Sequence, residues 1–287
     1  MSMKICLVTS AEGPRLVHRQ QWLQVLMQKQ VVSSDTELGI VNLAKHTHSH
    51  RAYVEGLYFE LLQSAYNVEA VLQAQKQGYD AAVIACYFDP GLEAAREVAR
   101  IPVVGLAEAS MAYASLLAKK KRSIAIIAVA EKGVLKTYDV IDKYGLTEQL
   151  ISNRPVRHIP FDMLVAAANN GKVSDVEAAK MAHAAVAREC IKDGAEIVIT
   201  GCAGLGPMLA VEGVFDIDGV PVMDPVSVAV KTAESLVDLQ KLGLKLSRKL
   251  MYRPPVSEDI SIKERAHFGF GSAVREQPSA EAASITR

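Results

Sequence analysis

The chain carries one pattern twice. The run Tyr79-Asp80-Ala81-Ala82-Val83-Ile84-Ala85-Cys86 leads into Tyr87-Phe88-Asp89-Pro90-Gly91-Leu92, and the run Gly194-Ala195-Glu196-Ile197-Val198-Ile199-Thr200-Gly201-Cys202 leads into Ala203-Gly204-Leu205-Gly206. Each is a continuous apolar segment, as made by a strand covered on both faces of a parallel sheet, and each ends in a cysteine. Beyond each cysteine the chain turns at glycine and enters a helical stretch. In open α/β sheets ligands sit outside the carboxyl ends of strands. Two cysteines at two such ends therefore suggest paired acid/base chemistry on a small molecule.

The duplication extends outward. Pro102 follows Cys86 by 16 residues and Pro221 follows Cys202 by 19, and each proline opens a short Pro-Val strand followed by a long helix. Strands are expected at 4–8, 38–43, 81–86, 102–105, 123–129, 197–201 and 221–223. Helices are expected at about 16–30, 52–77, 90–99, 108–118, 132–144, 173–192, 205–210 and 225–241. This alternation predicts an α/β fold of two pseudo-symmetric domains, each a mainly parallel sheet flanked by helices. The expected division is 1–118 plus about 225–250 for the first domain, with the last long helix returning to it, and 119–224 for the second. The basic run Lys119-Lys120-Lys121-Arg122 reads as a solvated helix end at the junction. Residues 251–287 form an extra segment, of which 272–287 has little to bury and is expected to be mobile.

Composition narrows the classes. Among 287 residues, 32 Lys and Arg balance 32 Asp and Glu, so no basic surplus argues for nucleic acid as a partner. No apolar run is long enough to span a membrane and the start lacks a signal-peptide pattern, so a cytoplasmic protein is expected. Four cysteines without CxxC spacing suggest neither a zinc site nor a redox pair. Cys6, inside a strand, and Cys190, on a helix, read as small buried hydrophobes. Lys45-His46-Thr47-His48-Ser49-His50-Arg51 reads as a polar loop rather than a metal site.

A thiolate acts as a base near neutral pH when its surroundings lower its pKa, and a helix N-terminus beyond a strand can do so. Asp89-Pro90-Gly91-Leu92-Glu93 reads as such a start, with Asp89 as N-cap and Pro90 at the first helical position. Ala203 and Gly204 are small enough to let backbone N–H groups approach a ligand oxygen. One thiolate and one thiol on opposite faces of a carbon acid would remove a proton and return it to the other side. The chemistry needs neither metal nor organic cofactor, and the sequence has no Walker A motif, no GxGxxG after the first strand and no HExxH.

The run Ile84-Ala85-Cys86-Tyr87-Phe88-Asp89-Pro90-Gly91-Leu92-Glu93-Ala94-Ala95-Arg96-Glu97 resembles the hydantoin and allantoin racemases of the aspartate/glutamate racemase superfamily. So do Pro102 to Ala109, Gly201 to Gly204 and Tyr53-Val54-Glu55-Gly56. The resemblance covers roughly residues 50–240. It implies two α/β domains with the site in the cleft between them, and a cofactor-independent proton transfer with Cys86 and Cys202 in the catalytic places. The chain departs from the family pattern in three places. Val8 to Pro14 stands where an Asn-rich turn is common. Phe88 stands where glycine is usual. Ala128 to Gly133 lacks a hydroxyl-rich turn.

The expected site comprises Cys86 and Cys202 as catalytic residues, with Tyr87, Phe88, Ala203, Gly204, Ser10, Glu12 and Lys132 binding a small-molecule substrate and no metal. A homo-oligomer is expected. The expected reaction is racemisation or epimerisation of a cyclic ureide. Alternatives are an amino-acid racemase, a maleate-type isomerase or decarboxylase of the same superfamily, or a small-molecule binding protein without catalysis.

Overall fold

In the computed structural model, which describes residues 2–9, 26, 31–42, 56–118, 121–170, 172–249 and 257–271, the two apolar runs are inner strands of two separate sheets. The first sheet contains β1 (Met3–Val8), β2 (Thr36–Val41), β3 (Ala81–Ile84) and β4 (Val103–Gly105) in the order β2-β1-β3-β4. The second contains β5 (Ile124–Val129), β6 (Val156–Ile159), β7 (Ile197–Thr200), β8 (Asp216–Ile217) and β9 (Val220–Met223) in the order β6-β5-β7-β9-β8. Pairing is parallel in both sheets except between β8 and β9, which form a hairpin at one edge.

The helices are α1 (Leu57–Lys76), α2 (Leu92–Val98), α3 (Leu106–Leu117), α4 (Glu131–Lys143), α5 (Phe161–Asn170), α6 (Val173–Lys192), α7 (Leu205–Val211), α8 (Pro225–Lys241) and α9 (Glu258–His267). They cover both faces of the sheets, and for that reason β3, β5 and β7 are buried at every position rather than at alternate ones. The period of two still sorts the first sheet. Ile5, Leu7 and Val83 join the large core shared with the second sheet, whereas Cys6, Val8, Ala82 and Ile84 join a smaller core with Val71, Ala74 and Leu92. Cys6 and Cys190 are fully buried, as small hydrophobes would be.

The register brings the strand ends level in the first sheet and lets β5 run two residues past the end of β7 in the second. Ile84 lies opposite Val8 and Gly105, and Thr200 lies opposite Ile127. The loops after β3 and β7 therefore leave their sheets at the carboxyl edge, beside the ends of β1 and β5. After the second sheet, α8 packs against β1, β3, β4 and α3. Its start is secured by Asp224, whose carboxylate accepts from the N–H groups of Val226 at 3.1 Å and Ser227 at 3.0 Å.

β6, the two-residue β8 and α5 were not among the expected elements. β6 carries Arg157 and His158 at its centre between Pro155 and Pro160, so no apolar segment announces it. α5 follows directly at Phe161. The extra C-terminal segment also contains a helix: α9 lies on α1, with Arg265 Nε donating to Glu69 Oε1 at 2.7 Å and Phe270 edge-on to Tyr66 at 6.0 Å between ring centres. Arg248 donates to the Arg96 carbonyl at 2.6 Å, at the end of α2. The expected helix 16–30 (apart from Leu26, which is helical), the start of the expected helix from 52, Lys119, Lys120, the His46–His50 run and the expected mobile tail 272–287 lie outside the described residues.

Candidate active site

The two cysteines are turned out of their strands by the same backbone device. After β3 the Ala85 N–H donates to the Val8 carbonyl at 2.8 Å, and after β7 the Gly201 N–H donates to the Ile127 carbonyl at 2.8 Å. Each of these bonds extends a strand pairing by one residue. The next N–H then folds back two residues: Cys86 to the Ile84 carbonyl at 2.8 Å, and Cys202 to the Thr200 carbonyl at 2.7 Å. This tight turn ends each strand at its cysteine. The cysteine carbonyls next accept from Asp89 at 3.1 Å and from Gly206 at 3.0 Å, starting the descent into α2 and α7. Cys86 and Cys202 are half-buried while the strands behind them are closed to solvent. Both are thiols rather than disulfide partners.

The loops meet. A Cβ placed on Gly201 would lie 3.3 Å from the Tyr87 ring, so the residue after Cys86 packs on the residue before Cys202. Tyr87 and Ala203 are buried, and burial raises the Tyr87 phenol well above its ordinary value. The Gly204 N–H points at Cys202 Sγ at 3.4 Å, an arrangement that favours the thiolate. Phe88 does not project into open space. Its ring packs beside Gly133 at the start of α4, with Lys136 Nζ 5.0 Å from the ring centre. Lys132 lies in the first turn of α4, after β5, and is exposed. Ser10 and Glu12 lie outside the described residues.

Asp89 corrects one expectation. It does not cap the helix that follows it: α2 begins at Leu92, with Gly91 before it in the left-handed region at φ 81°. Asp89 itself has φ 47°, and its buried carboxylate reaches the start of α3, accepting from Ala107 N at 3.1 Å and Glu108 N at 2.9 Å. The four-residue turn from Cys86 to Asp89 carries the side chain away from α2 and toward the strand-to-helix junction at Gly105. Burial raises its pKa to about 6 against the pull of these donors.

Residues that the sequence reading passed over surround the loops. Lys136 is buried and pairs with Glu60 of α1 at 2.6 Å. It falls on the same face of α4 as Gly133 and Val140, where a lysine on a buried stripe was the available signal. Asn67 of α1 donates to the Pro90 carbonyl at 3.0 Å, and Gln63 donates to Asn67 at 3.1 Å. Behind the second loop, His183 of α6 is wholly buried, with Nε2 3.2 Å from Thr200 Oγ1. No group of three or more His, Cys, Asp or Glu suited to a metal occurs among the described residues.

Burial lowers the His183 pKa from 6.5 to about 4. Its contribution to stability is thus full above pH 6.5, where folded and unfolded rings are both neutral, and is lost as the pH falls toward 4 and the unfolded ring alone gains a proton. The difference corresponds to roughly 3 kcal/mol. The gap in thermal midpoint between the parent and His183→Gln is expected to move against the parent by several degrees between pH 7 and pH 4. A gap that does not change would place the ring in water.

A family model described as Asp/Glu/Hydantoin racemase matches residues 26–233. A hydantoin racemase from Pseudomonas sp. (strain NS671) is 33% identical over 234 residues, covering 80% of this chain and 85% of its own. One from Paenarthrobacter aurescens is 32% identical over 80% of this chain and 89% of its own. Among solved structures, allantoin racemase from Klebsiella pneumoniae superposes with a TM-score of 0.69 at 25% identity, over 90% of this chain and 95% of that one. An aspartate racemase homologue from Pyrococcus horikoshii, at 13% identity and a TM-score of 0.52, shares the fold.

Proposed function

Because the chain belongs to the Asp/Glu/hydantoin racemase family, we propose that it racemises a cyclic ureide, a 5-substituted hydantoin or allantoin, by proton transfer between Cys86 and Cys202 without a cofactor. The observation that carries this reading is the matched pair of turns that brings two half-buried thiols out at the carboxyl ends of β3 and β7, in loops that touch through Tyr87 and Gly201. The ureide class is supported by the relatives named hydantoin racemase and by the likeness to allantoin racemase.

The carbon to be inverted lies next to a carbonyl. One thiolate removes its proton, negative charge develops on the carbonyl oxygen, and the opposite thiol delivers a proton to the other face. The Gly204 N–H beside Cys202 Sγ would support the negative charge on Cys202 when it serves as the base. Backbone N–H groups of the small-residue turn at Ala203 and Gly204 are in the right region to stabilise the oxyanion. Tyr87 and Phe88 fill the space between the halves, so their part in binding is to shape the walls. Lys132, exposed after β5, and Ser10 and Glu12, which follow β1 in sequence, would supply polar contacts at the rim.

The site then lies between a first domain of residues 1–118 with about 225–250 and a second of 119–224. The packing of α8 on β1, β3 and β4 supports that division. The exposed side chains of Leu57, Tyr58 and Leu61 on α1 suit a homo-oligomer. A reducing compartment such as the cytoplasm keeps the thiols competent.

The test is deuterium incorporation from deuterium oxide at the α-carbon across enantiopure 5-substituted hydantoins, allantoin, aspartate and glutamate. Exchange with loss of optical rotation on the ureides is expected. Exchange confined to the amino acids would move the substrate class, and exchange on none of them would favour a binding protein.

A further inference from the structure

We propose that Asp89 and Tyr144 form a positioning pair that fixes the Cys86 loop against the half of the molecule carrying Cys202. The inference rests on the two-thiol reading and adds to it the means by which the distance between the thiols is kept. Asp89 is 2% exposed, and its carboxylate has three donors: Ala107 N, Glu108 N and the Tyr144 hydroxyl, the last at 2.7 Å. Tyr144 is 55 residues away and follows α4, which packs on β5 and β6. Asp89 holds a left-handed φ, and a Cβ on Gly105 would overlap its carboxyl group, so the side chain has one place to go.

The second half supplies the comparison. Asp224 is likewise buried, caps the helix that follows the next strand, and touches the cysteine loop: a Cβ on Gly206 would lie 2.5 Å from its Oδ1. Carboxylate and glycine have exchanged places. Asp89 lies in the cysteine loop opposite Gly105, whereas Asp224 stands before its helix opposite Gly206. One donor differs in kind. Asp224 receives its hydroxyl from Ser227, in the helix it caps, at 2.5 Å. Asp89 receives its hydroxyl from the other half. Capping alone is achieved by local donors at Asp224, so the distant Tyr144 does something more, which is to tie the Cys86 loop to the second half.

Other contacts also join the Cys86 loop to the second half, with Phe88 beside Gly133 and Tyr87 against Gly201, but these are apolar packing, whereas the Tyr144 hydroxyl is the donor from the second half that reaches the buried Asp89 carboxylate among the described residues. Glu108 of α3 is engaged by Arg96 of α2 in a two-pronged pair, and the Tyr87 phenol is buried beside Ser110 of α3. Lys143 of α4 reaches Glu93 of α2 at 3.5 Å, but both side chains are substantially exposed.

The test is Tyr144→Phe in the full chain, read in two ways. Alkylation of Cys86 and of Cys202 by iodoacetamide is followed by mass spectrometry from pH 5 to 9, and racemisation is followed on whichever substrate exchanges deuterium. The expected result is a change of about threefold or more in the ratio of Cys86 to Cys202 labelling, and a fall in kcat of about tenfold with KM nearly unchanged, since displacement of a reacting group by an ångström can cost a hundredfold. A labelling ratio equal to the parent's across the pH range overturns the proposal, whatever happens to turnover. A role in stability alone would lower the melting temperature without moving the ratio. In Asp89→Asn one oxygen becomes an NH2 group that, whichever way the amide turns, faces the N–H of Ala107 or of Glu108, so the loop is loosened and the ratio is expected to move by about threefold or more in the same direction as in Tyr144→Phe. An Asp89→Asn ratio equal to the parent's overturns the proposal even if Tyr144→Phe fails to fold. Labelling needs no substrate, so it stands or falls separately from the two-thiol mechanism, which single cysteine replacements test.

Discussion

Replacing either Cys86 or Cys202 by alanine is expected to abolish racemisation, lowering kcat by at least about a thousandfold. A positioned acid or base contributes about a hundred- to ten-thousandfold, and inversion requires both partners in each turnover. The two variants should differ in what remains. Each keeps one thiol facing one side of the substrate carbon, so residual α-proton exchange in deuterium oxide should favour one enantiomer in Cys86→Ala and the opposite one in Cys202→Ala. Exchange that stays intact for both enantiomers in both variants would sink the two-thiol mechanism. Stability should barely change, because the exchanges remove one sulfur from half-buried positions. Cys6→Ala and Cys190→Ala should show the converse. Both side chains are fully buried, and burial pushes the Cys6 thiol up to about 12, so turnover should stay while stability falls by about 1 kcal/mol.

The separation of those two pairs was legible before the structure. Cys86 and Cys202 end apolar runs with glycine turns beyond them, whereas Cys6 lies within its run and Cys190 within a helix. The inner strands were legible because burial on both faces leaves an apolar run, and its shortness, its Val and Ile content and the glycine turn beyond it favour a strand over a buried helix. β6 was not, because an edge strand flanked by prolines can carry Arg157 and His158 and leave no run. Around the site, what the sequence concealed are contacts made across distance. Asp89 beside Pro90 satisfies the local rule for a helix cap, yet the turn from Cys86 sends its carboxylate 18 residues along the chain to Ala107. Local capping preferences contain no term for that geometry. Lys136 and Asn67 were likewise hidden, because a polar residue on a helix gains meaning only when the loop it contacts is in place.

Gly91→Ala is expected to be the most destabilising single-atom-scale change in the motif, at about 2–5 kcal/mol. Two costs combine. Gly91 has φ 81°, and a left-handed conformation costs an alanine about 1–2 kcal/mol. The new Cβ would also lie 2.6 Å from the Ser64 carbonyl oxygen and 3.2 Å from the Ser64 Cα. These are backbone atoms of α1 and cannot swing aside, and overpacking of this kind costs about 1–3 kcal/mol. Nor can the loop retreat: the Pro90 carbonyl is held by Asn67 at 3.0 Å and the Asp89 carboxylate by α3. Gly78 isolates the first cost. Its φ is 82° with nothing within 4 Å of an added Cβ, so Gly78→Ala should lose about 1–2 kcal/mol. Thermal unfolding of the two variants beside the parent should show Gly91→Ala lower by on the order of 10 °C and Gly78→Ala by a few degrees. Equal midpoints would mean that α1 yields at Ser64, and the tight seating of the Cys86 loop on α1 would then be wrong. With that seating in place, the strain in Gly91→Ala is transmitted through Pro90 and Asp89 to the thiol, so the fraction that stays folded should also turn over more slowly. In Gly78→Ala the change is confined to a turn before β3, and turnover per folded molecule should match the parent's.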